Sequence, residues 1–491
     1  MDDTSLDPEH CYRALRNRDR RFDGRFFVGV RTTGIFCRPI CPAPAPKASN
    51  CTFWTSAAAA QAAGFRPCLR CRPESAPGTP AWRGTAASVS RALRLIEEGG
   101  LDGDGRVDDL AARLGMGSRH LRRLFDEHLG ATPRAVAKMR RTLFAKQLID
   151  ETSLSMTEIA LSAGFGSQRR FNSCIRDVYG RSPSALRRCA RKASPAKQAK
   201  DSIELCLSYR PPLAWQALLD FLGPRAIRGV ECVEDGRYYR SIRCAGGLGS
   251  IAIGHEEARS RLRVCVRLAS SEGLIELSTR LRQLFDLDAD VEAIDASLAR
   301  DGLLIENVAR RPGLRVPGAF DGFETAVRGV LGQQISVKGA TTLAGRIAER
   351  WGRRLPRKLA LHDSLTRSFP TPRRLLRAEL EEVGVISARA RTIRGLARAV
   401  LDDPSLLQPG AGLEADLSRW VALPGIGPWT AHYVSMRVLG EPDALPAADL
   451  GLRRAISTPG EKLRPASDVE AALEGCRPYR AYAAMRLWSM L

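Results

Sequence analysis

The feature that most narrows the fold of this chain is a set of four cysteines in two tight pairs, Cys37-x3-Cys41 and Cys68-x2-Cys71, with 26 residues between them. Paired thiols on short turns set four soft donors around a tetrahedral Zn²⁺. Pro39, Pro42 and Pro67 beside them suit such turns. A metal-held unit of this kind is small, and 491 residues are too many for one core, so roughly three or four domains are expected. The other cysteines, Cys51 between the pairs included, are scattered, and the total of 13 is odd. The opening MDDTSLDPEHCYRALRNRDRRFDGRF has no apolar leader, so neither secretion nor a disulfide framework is expected. No stretch approaches the ~18 apolar residues of a membrane span. The expected setting is the cytoplasm, in association with the nucleoid.

Lys and Arg number 76 against 54 acids, a net charge of +22. That excess points to a polyanion, double-stranded DNA first. Residues 80–200 carry about half of it on a quarter of the chain, which a uniform preference for Arg does not explain.

Three Pro/Gly-rich or basic breaks, at 73–84, 189–201 and 311–322, divide the sequence. Between the first two lies an internal repeat, residues 107–133 and 156–183. Each half reads as a short helix, a glycine turn (Gly115; Gly164), a second helix and a closing Gly-x-x-Pro. Residues 201–311 hold strand-like runs, IELCLSYR, YYRSIRC, GSIAIG and RLRVCVRLA, with helical stretches at 212–223 and 271–287. From 318 onward helices dominate, and 323–352 reads as the clearest of them. The expected fold class is multidomain α+β. It comprises a small zinc-binding α/β domain (1–79), an all-α double helix-turn-helix (84–190), an antiparallel α+β domain (201–311) and an all-α domain (318–491).

The flanks of the cysteines, VRTTGIFCRPIC and AAGFRPCLRC, resemble the N-terminal domain of the Ada adaptive-response regulators. The resemblance implies one zinc per chain on Cys37, Cys41, Cys68 and Cys71, with Cys37 accepting a methyl group from a methylated DNA phosphate. It also implies that Thr33 and Arg66 contact DNA. Four thiolates on Zn²⁺ leave a formal charge of −2, which Arg38, Arg66 and Arg70 are expected to offset while gripping phosphate. Pro44 stands where the best-known members carry a basic DNA contact, which lowers the expected affinity and leaves the chemistry intact.

Residues 84–190 resemble the DNA-binding domain of AraC-type regulators, on Ala160, Ala163-Gly164-Phe165, Ser167, Phe171 and Gly180-x-Ser182-Pro183. Such a domain lays each second helix in a major groove. The expected reading helices are 118–127, with Arg119, His120, Arg122 and Arg123, and 167–177, with Gln168, Arg169 and Arg170. For any single arginine, phosphate contact is the commoner role. A regulator of this kind implies a promoter sequence and RNA polymerase as partners.

Leu423-Pro-Gly-Ile-Gly-Pro-Trp-Thr-Ala431 reads as a helix-hairpin-helix whose Gly425 and Gly427 let backbone N–H groups face a phosphate. Asp449 follows Trp429 by 20 residues, before Leu450-Gly451-Leu452. With RPPLAWQALLDFL, RPGLRVPG and VLGQQIS, this resembles the AlkA-type 3-methyladenine glycosylases of the helix-hairpin-helix superfamily, over residues 203–491. The resemblance makes Asp449 the catalytic carboxylate, places Trp429, Tyr433 and Trp488 in the base pocket, and assigns Gln334 to the gap left by the flipped base. A helix N-cap is the plainer role for Asp449. Asp443, the nearest rival carboxylate, lacks the spacing. Trp429 stands where lyase-competent relatives carry a lysine, and no iron–sulfur cysteines follow residue 420, so a monofunctional glycosylase is expected. The Pro-Cys-His-Arg nucleophile of an alkylguanine transferase does not occur. Two other readings are a transcription regulator with an inactive glycosylase body, and a damage-binding module with a structural zinc.

Overall fold

The computed structural model describes residues 6–73, 76, 86–102, 105–193, 202–457 and 462–491. Most of the first expected linker and residues 194–201 of the second lie outside them. The chain divides into two compact units, residues 1–211, 244–247 and 256–279, and residues 212–243, 248–255 and 280–491. The division runs through the stretch read above as the single domain 201–311.

The first unit opens on a small sheet of β1 (Phe27–Val30), β2 (Ile35–Cys37), β3 (Cys51–Trp54) and β4 (Arg66–Pro67), in the order β3-β1-β2-β4. β1 pairs antiparallel with β2 and β3, while β2 and β4 run parallel. Phe27 and Phe36 meet edge to face beneath it, 5.8 Å apart. The parallel pairing has one consequence for chemistry. It sets Phe36 against Pro67, and the Cys68 N–H donates to the Phe36 carbonyl at 2.9 Å, so the first cysteine of each pair leaves the sheet at the same end.

The internal repeat folds as two like halves. Val107–Arg113 and Ser118–Leu129 form the first, Met156–Ser162 and Gln168–Tyr179 the second, joined by the 19-residue helix Pro133–Glu151. The closing Gly-x-x-Pro has a local cause. Gly130 and Gly180 cap the second helices in the left-handed region, at φ +61° and +64°. Two residues on, Thr132 and Ser182 accept from Ala135 N and Ala185 N, and a proline then starts the next helix, where its missing N–H costs nothing. The apolar face read from the sequence, Leu110, Ala111, Leu114, Leu121, Leu124 and Phe125, is buried throughout.

Five further strands follow: β5 (Ile203–Ser208), β6 (Glu231–Glu234), β7 (Arg237–Cys244), β8 (Gly247–Glu256) and β9 (Arg261–Leu268). In the first unit β5 and β9 pair antiparallel from Ile203↔Val266 to Ser208↔Arg261. In the second, β6 pairs antiparallel with β7, and β8 lies on the other side of β7.

The second unit is mainly helical, around a core that includes Val327, Val330, Ile347, Ile393, Leu396, Trp420 and Val434. The stretch 323–352, one helix by its apolar spacing, is two: Gly322–Leu331 and Val337–Trp351. Ser336 N-caps the second by accepting from Gly339 N at 3.2 Å, and Gln334 between them takes a left-handed conformation, φ +55°. Among the described residues no helix is long and apolar enough to cross a membrane.

Candidate functional site

In the first unit the four cysteine sulfurs lie within 4.8 Å of one another. Cys51 is not among them; its thiol faces the Lys47 carbonyl. Cys41, Cys68 and Cys71 are 5–7% exposed, and Cys37, at the end of β2, is the least buried of the four. Their thiols hydrogen-bond to one another, which pushes Cys37 and Cys71 up and Cys41 and Cys68 down. Four sulfurs this close form a donor set that suits one divalent cation. The Arg38 N–H donates to Cys71 Sγ at 3.3 Å, the kind of backbone support that zinc thiolates receive.

Arg38 itself departs from expectation. Its side chain is buried, paired with Asp23 and donating to the Cys71 carbonyl at 3.1 Å, so it braces the metal knuckle and is not available to phosphate. Arg66, Arg70 and Thr33 are exposed, Thr33 in the turn between β1 and β2. On the repeat, Arg119, His120, Arg122 and Arg123 are exposed on the helix Ser118–Leu129. Gln168, Arg169 and Arg170 are exposed on the first turn of Gln168–Tyr179, which Ser167 caps.

The second unit holds the hairpin. Helices Leu413–Val421 and Pro428–Arg437 are joined by a turn in which Gly425 has φ +84°. A Cβ on Gly425 would sit 2.0 Å from Thr392 Oγ1, so both backbone and space require glycine. At Gly427 a Cβ would meet nothing within 4 Å, so that face of the turn is open. Gln333 ties the turn to the preceding helix, donating to the Gly425 carbonyl and to Thr430 Oγ1, both at 3.0 Å. Gln334, its neighbour, is exposed.

Asp449 is where the hairpin and the C-terminal helix Arg480–Trp488 converge. Trp429 Nε1 donates to its Oδ2 at 3.2 Å and Trp488 Nε1 to its Oδ1 at 2.9 Å. Oδ1 also accepts from Gly451 N and Leu452 N, so the N-cap role is real and coexists with the indole contacts. Trp429 stacks on Tyr433, centroids 5.4 Å apart and planes 12° from parallel. Phe221 joins from the far end of the unit, 6.2 Å from Trp488. Behind the rings stand arginines: Arg225 lies 3.9 Å from the Phe221 centroid, and Arg437 lies 4.8 Å from it and donates to Tyr433 Oη at 2.9 Å. Burial raises the Tyr433 phenol, but Arg437, Arg225 and Arg328 outweigh it and hold its pKa below the ordinary value. Arg328 is anchored by Glu231 at 2.9 Å, and Glu231 by Arg240 and Tyr238, both at 2.6 Å. Asp443, the rival carboxylate, is paired with Arg480 at 2.8 Å and with Arg477.

Four family models match the chain. They are the metal binding domain of Ada (10–74), a helix-turn-helix domain (110–189), the AlkA N-terminal domain (204–321) and the HhH-GPD superfamily of base excision DNA repair proteins (327–478). A probable bifunctional transcriptional activator/DNA repair enzyme AlkA of Mycobacterium tuberculosis is 41% identical over 487 residues, 99% of this chain and 97% of that protein. The chain belongs to this bifunctional activator/repair family. The DNA-3-methyladenine glycosylase 2 of Escherichia coli is 32% identical over 288 residues, 57% of this chain and 95% of that one. The bifunctional activator/repair enzyme Ada of the same organism is 36% identical over 162 residues, 33% and 44% of the two chains. A 3-methyladenine DNA-glycosylase structure from Archaeoglobus fulgidus shares the fold, with TM-score 0.51 and 23% identity over 58% of this chain and 97% of that one. The family thus joins an Ada-like methyl-acceptor and helix-turn-helix regulator to an AlkA-type glycosylase, a DNA-acting combination.

Phe221, Arg225, Arg328, Arg437 and Gln333 join the Asp449 setting without having been singled out in the sequence. Phe221 lies in the resembling stretch RPPLAWQALLDFL, but no spacing relates it to a residue more than 200 positions away. Gln333 and Gln334 are indistinguishable by type, and only the backbone separates the one facing the hairpin from the one facing out.

Proposed function

We propose that the second unit hydrolyses the N-glycosidic bond of alkylated bases of the 3-methyladenine type, with Asp449 as the catalytic group. The observation that carries this is the Asp449 carboxylate held by two indole N–H groups among stacked aromatic rings. A flipped, alkylated purine is often cationic and leaves without a general acid, while the sugar develops positive charge. Asp449 stabilises that charge and orients water. The faces of Trp429, Tyr433 and Trp488 favour an electron-poor cationic base. Backbone N–H groups of the hairpin, at Gly425 and Gly427, take a DNA phosphate. Gln334, exposed and left-handed between two helices, fills the gap left by the flipped base. With Trp429 at the lyase position the product is an intact abasic site.

The first unit takes a methyl group from a methylphosphotriester onto Cys37: the S–C bond forms, the methyl C–O bond breaks and the phosphate leaves as an ordinary diester anion, with one zinc per chain on Cys37, Cys41, Cys68 and Cys71. Zinc, when bound, keeps the sulfurs as thiolates at neutral pH. Cys37 is the least buried of the four, which suits the acceptor. Arg66 and Thr33 hold the DNA backbone. Methylation turns the Cys37 thiolate into a thioether and takes one negative charge off the cluster, the repaired phosphate regaining it, which for later contact with a promoter is worth on the order of 1–3 kcal/mol in a low-dielectric contact. The methylated form therefore binds a promoter more tightly through Arg119, Arg122, Arg123, Gln168, Arg169 and Arg170, and recruits RNA polymerase. Base release from methylated duplex DNA by wild type and Asp449→Asn tests the catalytic assignment. The variant keeps the shape and loses the charge, so release falls about a thousandfold or more while DNA binding survives. Wild-type release by the variant removes Asp449 from the mechanism.

A further inference from the structure

Outside the four-cysteine cluster, one other group of metal-ligating side chains converges among the described residues. Cys232 Sγ, a Glu234 carboxylate oxygen and a ring nitrogen of His362 lie within 4.8 Å of one another, all in the second unit. Cys232 and Glu234 are two apart on β6, so they share one face of that edge strand. Tyr239 stands opposite Cys232 in the β6–β7 ladder, and its ring centroid is 4.7 Å from that of His362.

The loop that carries His362 is fixed in place. Leu361 N donates to Ser250 Oγ at 2.9 Å, Leu365 N to the His362 carbonyl at 3.1 Å and Thr366 N to the Gly229 carbonyl at 2.9 Å. Leu355 and Leu365 pack with Leu248 beneath it. His362 Nε2 faces Glu234, while Nδ1 accepts from the Ser364 N–H at 3.2 Å and lies 2.8 Å from Ser364 Oγ. Nδ1 thus accepts in this arrangement and Nε2–H faces Glu234; a metal at Nε2 requires the other tautomer, with Nδ1–H turned to Ser364 Oγ.

We propose that Cys232, Glu234 and His362 form a second metal site, which takes one Zn²⁺ and clips the edge strand β6 to the loop 359–366. A thiolate, an imidazole and a carboxylate are a zinc donor set; Mg²⁺ and Ca²⁺ select oxygen alone. Bonds of about 2.0–2.3 Å separate tetrahedral ligands by roughly 3.3–3.8 Å, which side-chain rotation reaches from the observed spacing. Three protein ligands leave the fourth position to water. On binding, the Cys232 thiol releases its proton to solvent, and the imidazole proton moves from Nε2 to Nδ1, which turns from the Ser364 N–H to the Ser364 hydroxyl oxygen. Nothing is oxidised or reduced, and no residue of the Asp449 pocket takes part.

The test is the zinc content of the purified full-length chain, saturated with Zn²⁺ and freed of excess, measured by plasma mass spectrometry on wild type, Cys232→Ser and His362→Ala. All three donors lie at the surface of the unit, and circular dichroism checks that the variants fold. Each variant holds one zinc fewer per chain than wild type, whatever the four-cysteine cluster retains. Ser364→Ala keeps every donor and weakens the second site about tenfold in competition with a chromophoric chelator. Equal zinc content in wild type and both ligand variants overturns the proposal, as does unchanged chelator competition in Ser364→Ala.

Discussion

The four cysteines of the first unit come from one short segment, residues 37–71, and reach one another through a single parallel strand pairing. The groups around Asp449 come from Phe221 at one end of the second unit to Trp488 at the other. The first centre is a set of four thiols that a single metal ion would close. The second is closed by protein alone, through indole donors to a carboxylate and a buried network of Glu231, Arg240, Glu324 and Arg328 behind the rings. The difference matches the role proposed for each centre. A thiolate that accepts a methyl group is consumed, so the site needs only a reactive sulfur held against DNA. A carboxylate that serves turnover after turnover needs a setting that does not change.

Four perturbations sharpen that contrast. The largest is removal of zinc. Structural zinc in small domains contributes on the order of 10–16 kcal/mol, so a strong chelator abolishes methyl uptake and melts the first domain, while base release persists. Loss of both activities together would merge the two centres into one cooperative system. The second is Glu231→Gln. Burial raises the Glu231 carboxyl, but Arg328 and Arg240 outweigh it and bring its pKa down to about 2. Its stabilisation is present above the ordinary value of 4.5 and is lost as pH falls toward 2. Breaking a buried pair from one side costs about 3–5 kcal/mol. Urea unfolding at pH 7 measures it, and a change under 1 kcal/mol removes the network from the account.

The third concerns Asp286, whose carboxyl burial raises to about 6, with Tyr482 Oη donating to it at 2.7 Å. A raised carboxyl favours the folded state fully below the ordinary 3.8 and loses that contribution as pH climbs through 6. Asp286→Asn therefore flattens stability between pH 4 and 7 and raises it at pH 7 by on the order of 2 kcal/mol. A steeper profile in the variant contradicts the sign. The smallest is Trp488→Phe, which keeps a ring and removes one donor to Asp449. About 1–1.5 kcal/mol is lost, read as a roughly tenfold fall in base release with methyl uptake untouched.

The same contrast explains what was legible from residues alone. The zinc ligands, the repeat with its Gly-x-x-Pro stops, and the hairpin with Asp449 beyond it rest on spacings within short segments, and the fold places them together as those spacings imply. Arg38 reads from the sequence as a phosphate-gripping cation because its partner Asp23 precedes the motif, and a buried pair is invisible in the letters. The break at 332–336 is hidden because the apolar period continues across it, and only the Ser336 cap marks it. Phe221 and the arginines behind Tyr433 depend on packing between distant segments, which no local pattern encodes.

The central claim is that one chain carries two independent chemistries, one stoichiometric and one catalytic. Methyl transfer to protein and release of alkylated base are followed together, on DNA bearing both lesions, for wild type, Cys37→Ser and Asp449→Asn. Methyl uptake by wild type stops at one per chain while base release continues through many turnovers. Cys37→Ser loses the first and keeps the second, and Asp449→Asn does the reverse. Base release that stops when Cys37 is methylated, or either variant losing both activities while folded, would contradict the account.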